Sequence, residues 1–227
     1  MGLQVRGYVP ALQQQSMIKV ITILIVSACY ACTQTKQAKL PYFDTPDFTP
    51  LWLTASDSLY KNLHTIPFFS FTDQHGKTIT KANVQGKIYV ADFFFTKCTG
   101  ICAKMTNNMG KVATAFANDN NLMILSHSVT PEDDTPGVLK KYAQAKHITK
   151  GNWHLLTGSK QNIYNIARKG YYADEGLGLG KDTTEFLHTE NFVLVDRHGR
   201  IRGVYNGTIE LEVDRLIKHI TLLKKEQ

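Results

Sequence analysis

The strongest constraint on the fold is an apolar segment from Ile88 to Phe95, in which Asp92 is the one charged residue. Such a run is typical of a strand that is buried on both faces, and a strand of this kind needs other elements to cover each side. It leads directly into Cys98-Thr-Gly-Ile-Cys102 and then into apolar residues at helical spacing as far as Phe116. The sequence therefore predicts an α/β core with two cysteines at the carboxyl end of its central strand.

Strand and helix patterns alternate along the rest of the folded region. The predicted elements are a hairpin over 68–72 and 78–80, a strand over 88–95, a helix over 102–116, a strand over 122–129, a helix over 135–145, a strand over 153–156, a helix over 160–168, a hairpin over 191–195 and 201–205, and a closing helix over 209–223. This order predicts a mainly parallel sheet with helices on both faces and hairpin strands as antiparallel additions, in a thioredoxin-like layout.

The composition indicates a folded domain rather than a disordered chain. Hydrophobic residues make up 43% of the 227 residues, which is enough for a core in one domain or at most two. No apolar run approaches the roughly 20 residues of a membrane-spanning helix, which excludes a polytopic membrane protein. The net charge of +7 comes from scattered cations rather than from a basic patch, so we expect no nucleic-acid partner.

The amino-terminal segment has the features of an export signal. A lysine precedes the apolar run Val20–Val26, and two small residues then lead to Cys29. Val-Ser-Ala-Cys resembles the lipobox of bacterial lipoproteins, which predicts a signal peptide over residues 1–28 and lipidation of Cys29. Cleavage without lipidation and an uncleaved anchor are the alternatives, and translation could start at Met1 or at Met17.

These features predict an extracytoplasmic protein that a lipid anchors to a bacterial membrane, facing the periplasm or the outside, where thiols are exposed to oxidation. Residues 29–65 are polar and then punctuated by proline, and we interpret them as a tether. Regular patterning predicts the folded domain over 66–227. We expect the tether to end by packing four aromatic residues onto this domain: Tyr42, Phe43, Phe48 and Trp52.

The two cysteines after the central strand are the main candidates for chemistry, because ligands bind at the carboxyl edge of open α/β sheets. The free N–H groups at the start of the following helix, together with Lys97 and Lys104, are expected to lower the pKa of at least one thiol. Cys98 and Cys102 are four positions apart, so they can reach one metal ion or each other. Two thiolates prefer Cu(I) or Zn²⁺ to Mg²⁺ or Ca²⁺.

A third ligand would complete such a metal site, and a neutral histidine suits both copper and zinc. His188 is the strongest candidate, because it lies just before the strand 191–195, in a loop that can fold over the cysteine edge. Four other histidines are interpreted as exposed: His75, His147, His198 and His219. The alternative is that Cys98 and Cys102 form a purely structural disulfide and that His188 is a surface residue, with no metal-binding or redox role for either.

Four motifs occur in order between about residue 66 and residue 223: FTDQHGK at 71–77, FFFTKCTGIC at 93–102, SVTPEDDTP at 128–136 and HTENFVLVDRHGR at 188–200. Together they resemble the SCO/SenC family of copper-binding assembly factors. The resemblance implies a thioredoxin-like fold and copper ligands at Cys98, Cys102 and His188. This chain lacks the proline that usually follows each cysteine in the family, but no ligand is missing.

Two functions agree with this pattern. The resemblance implies a copper metallochaperone whose partner is the copper-bearing subunit of a respiratory cytochrome c oxidase, or another copper acceptor. The alternative is an enzyme, a thiol–disulfide oxidoreductase that reduces acceptor cysteines before metallation. The CxxxC spacing and the lack of any proline after Pro136 are evidence against an ordinary thioredoxin.

Two further features have structural interpretations. Met105 and Met109 lie at helical spacing, which is more typical of a hydrophobic core than of additional copper ligands. The acidic run Glu132-Asp133-Asp134 comes directly before a predicted helix. Because acidic side chains favour helix amino termini, we expect this run to cap the helix rather than to contact a cationic partner.

Overall fold

The computed structural model describes Gly2 and residues 39–98, 100–149, 151–173 and 189–226. The chain divides into two compact units, Met1–Ala38 and Lys39–Gln227, and all the helices and strands described below belong to the second unit. The predicted signal peptide and Cys29 lie outside the described residues. Within the described ranges, no helix is both long enough and apolar enough to cross a lipid bilayer.

The described residues form nine strands and five α-helices. The strands are β1 (Tyr42–Phe43), β2 (Pro50–Leu51), β3 (Ser70–Asp73), β4 (Thr78–Thr80), β5 (Ile88–Phe94), β6 (Leu122–Ser128), β7 (Trp153–Thr157), β8 (Asn191–Val195) and β9 (Ile201–Asn206). The α-helices are α1 (Lys81–Val84), α2 (Ile101–Ala115), α3 (Pro136–Ala145), α4 (Lys160–Asn165) and α5 (Glu210–Leu223). A 3-10 helix covers Ser58–Asn62, and a π-helical turn over Ile166–Gly170 continues α4. Each predicted strand and helix is present, with ends that differ by a few residues.

The strands form one sheet in the order β2-β1-β9-β8-β5-β6-β7-β3-β4. The central strands β5, β6 and β7 are parallel, and the other strand pairings within the described residues are antiparallel. The predicted layout, with parallel central strands and antiparallel hairpin additions, is therefore confirmed, although the sheet as a whole is partly rather than mainly parallel. The reason is that the two hairpins join the sheet on both sides of this parallel core, through β8 beside β5 and through β3 beside β7.

Alternate residues of β5 enter two separate hydrophobic cores on the two faces of the sheet. Val90 and Phe94 pack in the first core with residues of α2, α3 and α5. Tyr89, Ala91 and Phe93 pack in the second core with residues of α1 and α4. Because every residue of β5 is buried, the prediction of a central strand covered by helices on both faces is confirmed.

Helix α2, which follows the cysteine loop, is fixed to the sheet along its buried face. Met105 and Met109 on this face are 1% and 0% exposed, which confirms that they belong to the core. Asn108 on the same helix donates a hydrogen bond from its side-chain amide to the carbonyl of Gly207, at 2.8 Å. The helix is thereby attached to the chain just after β9, as well as to the central strands.

The two predicted hairpins end in turns with the same chemistry. In each turn an aspartate, Asp73 or Asp196, accepts hydrogen bonds through its carboxylate from two backbone N–H groups that follow it. The fourth residue of each turn, Gly76 or Gly199, has a φ of 77° or 80°. This left-handed conformation favours glycine, which explains why the turns were recognisable in the sequence.

Part of the segment interpreted as a tether, 29–65, is folded onto the sheet, because β1 and β2 lie within it and β1 pairs with β9. Tyr42 is buried, Phe43 packs against the second core and the ring of Phe48 contacts that of Phe43. Trp52 is 70% exposed, so the prediction that it packs on the domain is wrong. It follows β2, which is one of the two edge strands of the sheet.

Arg202 connects this segment to the carboxyl end of the domain. Its side chain is 3% exposed and donates hydrogen bonds to the carbonyl of Leu40 and to the carboxylate of Glu226, both at 2.6 Å. A third contact joins it to the Asp196 carboxylate at 3.4 Å. The buried cation is thus surrounded by acceptors, and it holds together three parts of the chain that are far apart in sequence.

Candidate metal centre

The segment between β5 and α2 brings both cysteines to the predicted edge of the sheet. β5 ends at Phe94, and the N–H of Cys98 donates to the carbonyl of Phe95 at 3.3 Å, which closes a turn. Because α2 begins at Ile101, Cys102 lies in its first turn. Cys98 is partly exposed and Cys102 is 8% exposed, so the two thiols have different access to solvent.

The two thiols are free and lie within hydrogen-bonding contact of each other. Burial opposes ionisation of Cys98, but its sulfur accepts hydrogen bonds from the backbone N–H and thiol of Cys102 and from the N–H groups of Gly100 and Ile101. The net effect is a pKa below the ordinary thiol value. This confirms the prediction that the helix amino terminus lowers the pKa of at least one thiol.

Cys102 has the opposite electrostatic environment. Burial raises the pKa of its thiol to about 12, and a hydrogen bond from the backbone of Phe95 only partly opposes this effect. The neighbouring Cys98 and, more weakly, Asp92 raise it further by charge repulsion. The pair therefore consists of an accessible thiol that ionises readily and a buried thiol that holds its proton.

The two lysines expected to lower the pKa of Cys98 are exposed and are not among the largest influences on it. Lys97 forms an ion pair with Asp133 at 2.9 Å, and both side chains are at least half exposed. The largest effects that lower the pKa of Cys98 come from the backbone N–H groups and the Cys102 thiol. The reason is solvent: an exposed ammonium group is screened, whereas the backbone N–H groups hydrogen-bond the sulfur.

A buried carboxyl group lies on the same face of the sheet as Cys102. Asp92 is 2% exposed and accepts a hydrogen bond from the Ser126 hydroxyl at 2.5 Å. That hydroxyl in turn accepts one from the indole N–H of Trp153 at 2.9 Å. Burial raises the pKa of Asp92 to about 7. The sequence contained a signal for this group, because a carboxylate interrupted a strand predicted to be buried on both faces.

The acidic run before α3 has a different role from the one predicted. The cap of α3 is Thr135, whose hydroxyl accepts a hydrogen bond from the N–H of Val138 at 3.4 Å. Asp134 is instead completely buried, and its carboxylate binds Thr96 in the cysteine loop. The prediction that this run caps the helix is therefore wrong for Asp134. Nothing in the sequence indicated a contact with a residue so distant along the chain.

The third predicted ligand, His188, lies outside the described residues. His75, His147 and His198 are exposed as predicted, whereas His219 is half-buried and shares a hydrogen bond with the Tyr205 hydroxyl. In the described ranges, no three side chains of the kinds His, Cys, Asp and Glu form a group that could hold a metal ion. The structure therefore brings two of the three proposed ligands together, and these two are soft thiols that suit Cu(I).

One buried histidine has an environment that excludes it from this site. His127 is enclosed by the rings of Phe71, Phe93 and Tyr171, with ring centroids 5.2 to 5.6 Å away. These residues belong to the second core, on the opposite face of the sheet from Cys102. Burial lowers the pKa of His127 to about 4, so it is a neutral core residue.

Solved structures share this arrangement of strands and helices. A SCO1/SenC family lipoprotein from Bacillus anthracis is 29% identical and has a TM-score of 0.62, over 71% of this chain and 96% of that one. BsSco, described as a member of the Sco family of cytochrome c oxidase assembly proteins with a disulfide switch, is 30% identical with a TM-score of 0.62, over 72% and 95%. Bradyrhizobium japonicum ScoI with copper bound has the same fold at 24% identity and a TM-score of 0.53, over 68% and 99%.

Sequence comparison gives the same assignment. A SCO1 protein homolog from Bacillus subtilis is 34% identical over 154 residues, which are 67% of this chain and 79% of that protein. The family model of SCO1/SenC matches residues 58–223, which include both cysteines of the loop, the acidic run before α3 and both hairpins. The thioredoxin-like fold predicted from the sequence is thus confirmed, and the chain belongs to the SCO1/SenC family.

Proposed function

We propose that this protein is a copper metallochaperone that binds copper through Cys98, Cys102 and His188 and delivers it to the copper centre of a respiratory cytochrome c oxidase. The observation that carries the proposal is the contact between two free thiols at the sheet edge, in a chain of the SCO1/SenC family. The related BsSco is described as a cytochrome c oxidase assembly protein, and a related ScoI binds copper.

The two thiols can hold Cu(I) while leaving it accessible. Cys98 provides a thiolate readily, and binding of the metal would displace the proton that Cys102 holds in the free protein. Ile101, between them, is 43% exposed, so the loop lies at the surface. An acceptor protein could approach this edge and take over the copper by exchanging one ligand at a time.

The pairing of β8 supports His188 as the third ligand. β8 is antiparallel to β5, with Val193 opposite Ala91 and Val195 opposite Tyr89. The amino end of β8 therefore lies at the same sheet edge at which β5 leads into the cysteine loop. His188 precedes that end by three residues in the sequence.

Anaerobic titration of the reduced protein with Cu(I) tests this proposal. We expect one tightly bound copper per chain, no tight binding in Cys98→Ser, and affinity weakened at least roughly tenfold in His188→Ala, since even groups that only support metal ligands have effects of this size. His198→Ala is the matched control, because His198 is exposed in a hairpin turn, and its affinity should equal that of the wild type. Copper binding that survives in Cys98→Ser would refute the proposal.

A second function is favoured by the difference between the two thiols. An accessible thiol of low pKa beside a buried thiol of high pKa is the arrangement that attacks a disulfide and then resolves the mixed disulfide. In this alternative the protein reduces the cysteines of an acceptor before metallation. Two results together would select this oxidoreductase function. The wild type and His188→Ala would reduce a model disulfide at equal rates, and neither would bind copper tightly.

We also propose that residues 1–28 are a signal peptide and that lipidated Cys29 anchors the protein at the outer side of a bacterial membrane, with the segment after it as a tether to the domain. The related Bacillus anthracis protein is described as a lipoprotein. Expression of the full chain in bacteria tests this idea. Cys29→Ser should move the protein from the membrane fraction to the soluble extracytoplasmic fraction, whereas Cys32→Ser should leave it in the membrane fraction.

A further inference from the structure

The buried carboxylate of Asp134, next to the cysteine loop, accepts hydrogen bonds from two separate segments of the chain. Asp134 is 0% exposed. One oxygen accepts the hydroxyl of Thr96 at 2.5 Å, and the other accepts the N–H of Thr96 at 3.2 Å and the hydroxyls of Ser128 and Thr130 at 2.6 and 3.1 Å. Ser128 and Thr130 belong to the end of β6 and the loop after it.

These bonds fix the position from which the cysteine loop departs. Thr96 lies two residues before Cys98, inside the turn that the Cys98 N–H closes on the carbonyl of Phe95. The carboxylate holds both the backbone and the side chain of Thr96 against the loop after β6. A second, exposed contact between Lys97 and Asp133 joins the same two segments. The path of the chain into Cys98 is therefore set by residues that follow β6, and not by the cysteine loop alone.

We infer that Asp134 is a positioning residue for Cys98: it holds the turn over residues 95–98, which places Cys98 just before α2. A carboxylate is suited to this role because it only accepts hydrogen bonds and offers about four acceptor sites. An amide would present its own N–H groups to these donors. The inference deepens the proposed function, since it concerns the thiol that would bind copper or attack a disulfide.

Paired substitutions at two of the donors separate this role from simple stabilisation. Thr96→Val and Thr130→Val each remove one hydroxyl that donates to Asp134, but only Thr96 lies in the cysteine segment. Thr96→Ser restores the hydroxyl and is the rescue variant. For each reduced, copper-free protein, the alkylation rate of Cys98 by iodoacetamide at pH 7 is followed by peptide mass spectrometry, and thermal unfolding is measured in parallel.

We expect Thr96→Val to slow alkylation of Cys98 by about twofold to tenfold, the range that corresponds to one hydrogen bond, because the turn that holds the Cys98 sulfur in place before α2 then loses one of its fixed contacts. Thr130→Val and Thr96→Ser should react at the wild-type rate. Equal rates for Thr96→Val and Thr130→Val, whatever their melting temperatures, would overturn the inference, as would faster alkylation in Thr96→Val. Where Asp134→Asn folds, it should react at least as slowly as Thr96→Val.

This experiment does not depend on whether the chain binds copper, because the alkylation rate is measured without metal. A failed copper titration with a slowed Thr96→Val variant would contradict the metallochaperone and leave the positioning role of Asp134 intact. Tight copper binding with an unchanged alkylation rate in Thr96→Val would support the metallochaperone and contradict the positioning role of Asp134. The two proposals can therefore fail separately.

Discussion

Asp92 provides a sharp test of how burial affects this domain, because its carboxyl group is 2% exposed and its pKa is raised to about 7 by desolvation. Below about pH 4 the group is protonated in both the folded and the unfolded chain. Between about pH 4 and pH 7 the unfolded chain releases the proton while the folded chain keeps it. The free energy of unfolding therefore decreases as the pH rises through this window and stays at the lower value above it.

The size of this effect follows from the pKa difference. A difference of about 3 between the folded and unfolded states corresponds to about 4 kcal/mol of unfolding free energy. Asp92→Asn has no carboxyl group to ionise, and its amide oxygen can still accept the hydrogen bond from Ser126. We expect the variant to match the wild type near pH 4 and to be more stable by up to about 4 kcal/mol at pH 8.

Urea unfolding of the reduced proteins at pH 4.5, 6 and 8, followed by circular dichroism, measures this difference. With a typical slope of about 2 kcal/mol per molar urea, the midpoint of Asp92→Asn should exceed that of the wild type by up to about 2 M at pH 8. Asp214→Asn, at an exposed position of α5, is the control and should follow the wild type at every pH. If Asp92→Asn gains less than about 1 kcal/mol at pH 8, the scale of one hydrogen bond, the reasoning is refuted.

Two other predictions concern buried charged or titratable groups. Burial lowers the pKa of His127 to about 4. The free energy of unfolding of the wild type should therefore decrease by up to about 3 kcal/mol as the pH falls from 6.5 to 4, and His127→Leu should not show this decrease in the same urea assay. Arg202→Met leaves the carboxylates of Glu226 and Asp196 without their buried cation and should destabilise the domain by about 3–5 kcal/mol. Arg215→Met removes a half-exposed ion pair and should cost less than about 1 kcal/mol in thermal or urea unfolding; similar losses for the two arginine variants would contradict this assignment.

Much of the fold was predictable because its signals are local. The apolar run of β5, the helical spacing after Cys102 and the two turns with Gly76 and Gly199 each depend on residues that are neighbours in sequence. The position of the hairpin strands within the sheet was not predictable in the same way. The placement of hairpin strands beside β5 and β7 depends on contacts between distant segments, and it made most of the sheet antiparallel.

The site shows the same division. The cysteine pair could be found from its spacing and its place between a buried strand and a helix, and the lowered pKa of Cys98 follows from the free N–H groups of that helix end. The high pKa of Cys102 depends on burial by other parts of the chain. The position of Asp134 just before α3 favoured a role as a helix cap. In the folded chain its carboxylate instead accepts a hydrogen bond from Thr96, 38 residues away in the sequence.

The sequence by itself determined the order of the main strands and helices after residue 66, the two hairpin turns, the position of the thiol pair at the end of the central strand and the resemblance to the SCO/SenC family. These properties depend on side-chain periodicity, on turn conformation and on motifs, which act over a few residues. The tertiary structure alone decided which strands lie beside each other, which thiol ionises and that Asp134 is buried against the cysteine loop. Desolvation and long-range hydrogen bonds control these properties, and they exist only after distant segments have packed together.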